Sequence, residues 1–460
     1  MDIQIIAIKA AQLLLCLSLL VALHEGGHFF FAKLFGVKVE KFYLFFDYKF
    51  HLFSTRSKWF TRFFPRFKES ETEYGIGWIP LGGYVKIAGM VDESLDTEQL
   101  KKPAQPDEFR SQAVWKRFCI MVGGVLVNLI TAFALYSMIM FFWGEDRLPM
   151  RSIKDGFAFN AQAEALGFRD GDIPVRVDQK DIIAYTPWLM RDLSNARVVT
   201  VLRAGQEVQL VMPEGGLDML AMMEMQPAFL TPVAVSQIDS VLPGSPAEQA
   251  GLVAGSRIVA IDGTPIAYWS DFDSLMAERT ERKMQLVVQR PASTQPDTLA
   301  LTLDSELQLG VLRHMPIGEE QLEHIEYGLL SSIPAGLHYG WGMLTGYVND
   351  LKYVFTPKGA QNVGSFITIG SIFPAAWDWQ RFWSITAIIS IMLAVMNILP
   401  IPGLDGGHVV ILLYEAVTGR EPSERVMVWL EYVGLFFLIS LMLLAFGNDI
   451  VRWILPHFQG

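Results

Sequence analysis

The sequence predicts a membrane α-helical bundle of four transmembrane helices, with a β-hairpin between the first two spans and a duplicated α+β segment between the second and third. Three observations carry this. Four apolar stretches are long enough to cross a bilayer, 51% of the 460 residues are hydrophobic against only 18% charged, and a pattern of glycines and acids recurs once, Gly167 and Asp178 reappearing as Gly251 and Asp262. An ordinary soluble domain carries about 25% charge, and a mean hydropathy of +0.30 puts part of this chain in hydrocarbon. At roughly 100–200 residues per domain the length allows two to four structural units. Disorder, a collagen and a small disulfide scaffold are excluded. Cys16 and Cys119 both lie in apolar runs and read as small hydrophobes. The net charge of −11 argues against a nucleic-acid partner.

A spanning helix needs about 20 apolar residues at 1.5 Å each. The first run lies between Lys9 and Lys33 and is interrupted by Gln12, Ser18 and the cluster His24, Glu25, His28. It is too long for the apolar region of a cleaved signal peptide and carries ionisable groups where a cleavage site should be, so a span is the favoured alternative. The second, Phe118 to Trp143, is uncharged, as is the third, Phe382 to Leu404; the fourth covers about Met427 to Phe446, with Glu431 near its start. Segment 33–117 holds 15 basic residues against 11 acidic, with Lys116 and Arg117 at the mouth of the second span. It is expected on the cytoplasmic side, which puts both termini and residues 147–380 outside and the connector around Arg420 and Arg425 inside. The rest of the chain is acidic.

From Lys49 to Lys68 there are six basic residues and no acid, interleaved with Phe50, Phe53, Trp59, Phe60, Phe63, Phe64 and Phe67. Such interleaving suits nucleic acid; beside a span, an interfacial segment on anionic lipid is favoured. The glycine-punctuated run from Tyr74 to Lys86 reads as a hairpin, and the acidic, proline-bearing stretch 92–110 as a loop. In the duplicated segment the second copy is the clearer: Gly244-Ser245-Pro246-Ala247-Glu248, Gly251, Gly255, then Ile258 to Gly263. A short helix ending in glycine, a glycine turn and a strand closed by Asp-Gly form a sensible unit. The first copy is degenerate, with Pro174 inside its strand and Gln179 in place of the glycine. Residues 325–381 lack a clean span and read as amphipathic elements returning the chain to the bilayer.

His24-Glu25-Gly26-Gly27-His28 matches H-E-x-x-H. At 3.6 residues per turn the histidines fall within about 40° of each other on one helix face, so both imidazoles reach one ion with Glu25 beside them. Satisfied core histidines are the bland alternative, but within a span each ionisable group costs about 2.5 kcal/mol or more. Zinc at such a motif acidifies water for a carboxylate to deprotonate, and needs a third protein ligand and an open position. The third span offers Asn397 to His408, in which Asp405 is the only carboxylate between Arg381 and Glu415. Pro400, Pro402 and the glycines break the helix there, as backbone lining a cavity permits. A helix-end carboxylate at the interface is the other option for Asp405, and His408 is assigned a supporting or structural role. Gly26 and Gly27 each cost about 1 kcal/mol in a helix; close approach of another backbone is the expected use.

These motifs, with Leu81-Gly82-Gly83-Tyr84-Val85-Lys86 and the outer repeats, resemble the site-2 protease family of intramembrane zinc metalloproteases over nearly the whole chain, and in particular its bacterial branch with two PDZ domains. The resemblance implies a Zn2+ cofactor held by His24, His28 and Asp405, with Glu25 as general base and Asn397 holding the substrate strand. It also implies that Gly82, Gly83, Tyr84, Val85 and Lys86 belong to the substrate-binding edge of a membrane-reentrant β-hairpin, and that the repeats are two extracytoplasmic PDZ-like α+β domains. Asn128, in Gly123-Gly124-Val125-Leu126-Val127-Asn128, and Pro400 are further substrate-binding candidates. The implied organisation is a first span over 1–34, a membrane-associated region with the hairpin over 35–111 and a second span over 112–146. PDZ-like domains follow over 147–228 and 229–313, an amphipathic connector over 314–378, a third span with the Asp ligand over 379–418, and a fourth span with the tail over 419–460.

The implied activity is hydrolysis of transmembrane segments of single-pass proteins, such as anti-sigma factors or signal-peptide remnants, in a bacterial inner membrane. The expected partners are those substrates and the lipid bilayer, with no nucleic acid and no obligate oligomer. A metal transporter would also place His and Asp in the membrane but has no need of a neighbouring Glu; a non-catalytic PDZ scaffold needs neither cluster. Three departures stand out. Phe45-Phe46-Asp47 replaces the G-x-G element of many members, Gly123-Gly124 replaces a common Gly-Pro, and Leu309-Gly310-Val311 is the one candidate peptide-carboxylate loop, with packing as its other reading.

Overall fold

The computed structural model describes residues 3–90 and 103–451, apart from 154, 187, 226–227, 278, 292, 294, 305–306, 314–320, 355 and 421–422. Most of the acidic stretch 92–110, and the start of the connector at 314, lie outside the described residues. The chain divides into two compact units, Met1–Gly144 with Glu326–Gly460, and Glu145–Ile325.

Among the described residues the first unit contains four helices long and apolar enough to cross a membrane, Ile3–Leu34, Val114–Trp143, Trp379–Ile398 and Val426–Asp449. In chain order it begins with α1 (Ile3–Leu34), β1 (Val39–Phe46), β2 (Phe53–Ser54), α2 (Lys58–Phe63), β3 (Glu73–Ile76), β4 (Ile79–Ile87) and α3 (Val114–Trp143). Helix α3 is the hub. Against it pack α1, the long helix Leu329–Val354, the third apolar helix and the helix Asp405–Thr418. Ala32, Ile120, Met121 and Leu412 fill one core, Ala132, Tyr136, Ala387 and Ile391 another. Gly27 of α1 meets the backbone of Gly123 and Gly124, with no room for a side chain, whereas Gly26 faces open space. The close helix approach expected of both glycines is therefore made by one.

The third span is shorter than the apolar run. Its helix stops at Ile398, because the prolines at 400 and 402 lack the N–H a helix needs and push their predecessors to extended backbone. Gly403, at φ +83°, turns the chain into the helix that starts at Asp405. Gly434 of the last helix leaves space for the Pro402 backbone, so this loop lies against a second helix.

The expected hairpin is corrected. The sheet order is β2-β3-β1-β4, so β1 lies between the two strands read as neighbours, parallel to β3 and antiparallel to β4. Glycines read as turn formers instead make space for β1: Gly75 seats the Tyr43 ring and Gly77 the backbone of Phe45 and Phe46. The Gly77 amide donates to the Leu44 carbonyl at 2.8 Å, bridging over the end of β1. Beyond this, β4 is an edge strand.

The second unit contains the duplication as structure. Strands Gln206–Val211, Val198–Arg203, Ile173–Val177 and Lys180–Asp181 form one sheet in that order, and Asp297–Thr302, Lys283–Gln289, Arg257–Ile261 and Thr264–Pro265 form a second in the same order. The repeated residues are the turn positions. Gly167, Gly171 and Asp178 have positive φ, as do Gly251, Gly255 and Asp262. Asp178 Oδ1 accepts from the Val198 amide at 2.9 Å, and Asp262 Oδ1 from the Gln285 amide at 2.8 Å. Each copy has its own core, around Phe157, Phe168 and Val201 in the first and Ile258, Trp269 and Leu286 in the second. Strand Leu230–Pro232 pairs with Phe157–Phe159, so it belongs with the first copy. In the second copy Leu309 is a core residue and Gly310 packs on Ser245, which favours packing for that loop.

Candidate metal centre

Helix α1 carries His24 and His28 one turn apart, which stacks their rings edge to face at 4.9 Å between centroids. The two Nε2 atoms are 3.4 Å apart. Asp405 arrives from the other side at the first turn of its helix, placed there by the break after Ile398. Its Oδ2 lies 3.3 Å from each Nε2. The three donor atoms lie within 4.8 Å of one another, the one grouping of this kind among the described residues. His408, one turn further along, is outside it.

Two observations test whether these residues fit a metal. Asp405 Oδ2 is buried with no hydrogen-bond partner, a costly state for a carboxylate oxygen that a cation would relieve. Gly124 of α3 faces the rings so closely that a side chain there would strike His28 Nε2 and His24. Two imidazole nitrogens and one carboxylate oxygen are a zinc donor set. The residues fit.

The surroundings orient the ligands. His28 Nδ1–H donates to the Ile120 carbonyl at 2.9 Å, which leaves the Nε2 lone pair facing the cluster. Buried Asn128 lies with its amide nitrogen 3.2 Å from His24 Nδ1 and its Oδ1 without a partner; with the carboxamide turned over, Oδ1 would accept from an Nδ1–H and direct the His24 Nε2 lone pair the same way. Asn397 reaches His24 Nε2 at 3.2 Å from the last turn of the third apolar helix. Asn128 and Asn397 thus both touch His24, a candidate metal ligand, a contact their resemblance to substrate-binding positions did not imply. Pro400 lies in the loop before Asp405.

Glu25 adjoins this cluster at the edge of the sheet. A side chain at Gly83 would come within 3.6 Å of Glu25 Cγ and within 2.8 Å of Val21, and the Val85 backbone N–H is directed at the Glu25 carboxylate. Strand alternation divides the remaining candidates. Val85 is buried against α1 and α3. Tyr84 turns to the opposite face, stacked on Tyr43 at 5.5 Å and donating to Asp47 at 3.0 Å. Lys86 pairs with Glu40 at 3.7 Å. Gly82 packs on the Phe46 ring.

Sequence reasoning missed the Ile120 carbonyl, which has no side-chain signature, and the ion pair of Arg117 with Glu415. That pair is buried, 2.5 Å long, and joins α3 to the helix of Asp405. A partial signal existed: Glu415 is a lone charge at the end of an apolar run, and Arg117 is the charge next to the second span.

The profile of peptidase family M50 matches residues 12–441. The chain is 27% identical to the regulator of sigma-E protease RseP of Escherichia coli K12 over 465 residues, covering 96% of this chain and 98% of that protein. It is 29% identical to the regulator of sigma E protease of Salmonella typhi over 469 residues, 96% and 98% of the two chains. To a Neisseria meningitidis serogroup A protein provisionally named a zinc metalloprotease it is 29% identical over 465 residues, 94% and 97% of the two chains. This chain therefore belongs to peptidase family M50, the site-2 proteases, and is a metalloprotease of that type.

Proposed function

We propose that this protein is an intramembrane zinc metalloprotease that hydrolyses a peptide bond inside the transmembrane segment of a single-pass membrane protein, an anti-sigma factor or signal-peptide remnant being the substrate class the family resemblance implies; two relatives are named regulators of sigma-E protease. The observation that carries this reading is the convergence of His24, His28 and Asp405 beside Glu25 within apolar helices. His24, His28 and Asp405 would hold a zinc ion, which when bound would supply Lewis-acid polarisation of the scissile carbonyl and acidify the attacking water. Glu25 takes the proton from that water and returns it to the leaving nitrogen. The His28 bond to Ile120 and the Asn128 contact keep both imidazoles presenting Nε2. A helical substrate hides its carbonyls in its own hydrogen bonds and must unwind first. Strand β4, an edge whose backbone passes Glu25, offers replacement partners by strand addition, and Asn397 binds the same extended backbone.

The two repeats of the second unit are PDZ-like domains on the outer side, where they exclude substrates whose outer domain has not been trimmed. The basic segment 33–117 is cytoplasmic, both termini are outside, and the chain resides in a bacterial inner membrane. Metal content and cleavage of a model transmembrane peptide, measured together in nanodiscs, test the reading. Glu25→Gln should retain zinc and lose at least about 100-fold in cleavage rate, and Asp405→Asn should lose both. Undiminished cleavage by Glu25→Gln would overturn it.

A further inference from the structure

The segment between β2 and β3 contributes nothing to the metal centre, yet it is basic, aromatic and folded. Helix α2 and the turn Pro65–Glu69 form a small aromatic knot in which Phe60 packs on Phe53 at 5.1 Å, Phe64 at 4.9 Å and Phe67 at 5.4 Å between ring centroids. Around Phe60, large rings remain outward: Trp59 and Phe63 are each 66% exposed, and Phe64, though it stacks on Phe60, is 54% exposed. Trp59 and Phe63 are one helical turn apart, as are Lys58 and Arg62 beside them, and Arg66 follows. Lys58, Arg62 and Arg66 have no ion-pair partner among the described residues.

The sheet sets the level of this knot along α1. Phe29 packs on Phe42 and Tyr74 at 5.6 and 6.0 Å, and Lys33 pairs with Glu71 at 3.0 Å. On the entering side the Thr55 amide donates to the Tyr74 carbonyl at 2.8 Å, and Arg56 lies 3.8 Å from Glu73. The chain therefore enters and leaves the knot beside the last turns of α1, where Lys33 ends the apolar run and a spanning helix passes from hydrocarbon into headgroups. Three large exposed rings flanked by unpaired cations at that level match an anionic bilayer surface in both polarity and charge.

We infer that the α2 knot is a docking element for anionic lipid. Trp59, Phe63 and Phe64 enter the acyl boundary while Lys58, Arg62 and Arg66 bind headgroup phosphates. The knot holds the β2 side of the sheet, opposite the β4 edge beside Glu25, so the lipid contact steadies that edge from across the sheet. The inference rests on the spans and the sheet, and stands whether or not the metal centre cleaves peptides.

Hydrogen exchange of the full chain tests it, comparing nanodiscs of phosphatidylcholine alone with discs containing roughly 30% phosphatidylglycerol, whose negative surface potential attracts basic segments. Amides of residues 56–67 should exchange about fivefold or more slowly in the anionic discs, and that difference should shrink in high salt. Lys58→Gln/Arg62→Gln/Arg66→Gln should abolish the lipid dependence while β1 and β4 amides stay as protected as in the unsubstituted chain. Equal exchange of residues 56–67 in the two kinds of disc would overturn the inference without recourse to any variant. So would protection by an added RNA oligonucleotide in place of the acidic lipid.

Discussion

An alanine at position 124 would put a methyl group between the two imidazoles. Its carbon would fall 2.6 Å from His24 Cε1 and 2.8 Å from His24 Nδ1, with His28 Nε2 nearer still. An ordinary carbon contact is about 3.5 Å, so the rings must retreat by roughly 0.7–1.1 Å. Metal–ligand distances tolerate about 0.2 Å. Overpacking costs about 1–3 kcal/mol, and about 1 kcal/mol returns as helix propensity, so Gly124→Ala should remain folded while zinc affinity falls by about 100-fold. The assay is zinc retained per chain against a series of chelators of graded affinity, with thermal unfolding on the same samples. Gly26→Ala is the control, because nothing lies within 4 Å of that added carbon; it should keep its zinc and gain up to about 1 kcal/mol. Unchanged zinc affinity in Gly124→Ala would refute the cradle.

Other outcomes follow from the same structure. Asn128→Ala should lower zinc affinity by about 10–100-fold in chelator competition, because His24 loses the group that orients it; an unchanged affinity would remove Asn128 from the centre. Glu415→Ala should destabilise the first unit by about 3–5 kcal/mol by stranding Arg117, while Arg117→Leu/Glu415→Leu should recover most of that in thermal unfolding. Glu73 should make the sheet acid-labile. Burial raises its carboxyl, but hydrogen bonds from Ser54 and Tyr43, with Lys41 and Arg56 nearby, hold it below the ordinary value of 4.5. A depressed carboxylate stabilises above its unfolded value and loses that contribution as pH falls through the folded one, so protection of β1 and β3 amides should fall on acidification below about pH 4.5, and Glu73→Gln should flatten that dependence.

Much of the site was legible because its chemistry is local. H-E-x-x-H sets two imidazoles and a carboxylate on one helical turn, and a lone Asp after two prolines in an apolar run has few other uses. The duplicated unit was legible for a similar reason: its repeated residues are glycines and aspartates at positive φ, whose conformational demand shows in the residue type. The hairpin was misread because a strand that ends at Phe46, well upstream of β3 and β4 and with the same alternation of apolar and polar positions, leaves no mark on the segment it invades. Gly75 and Gly77 look like turn residues in sequence and act as space for Tyr43 and Phe46.

The sequence by itself determined the four apolar helices, the two histidines with Glu25, and Asp405 as a third ligand candidate, because hydrophobic length and helical spacing are properties of neighbouring residues. Only the tertiary structure decided that Asp405 Oδ2 comes within 3.3 Å of both histidines, that Gly124 and the Ile120 carbonyl shape the centre, and that β4 is the edge passing Glu25. Those depend on helices approaching closely enough for backbone to touch backbone, and such contacts are made by atoms that every residue carries.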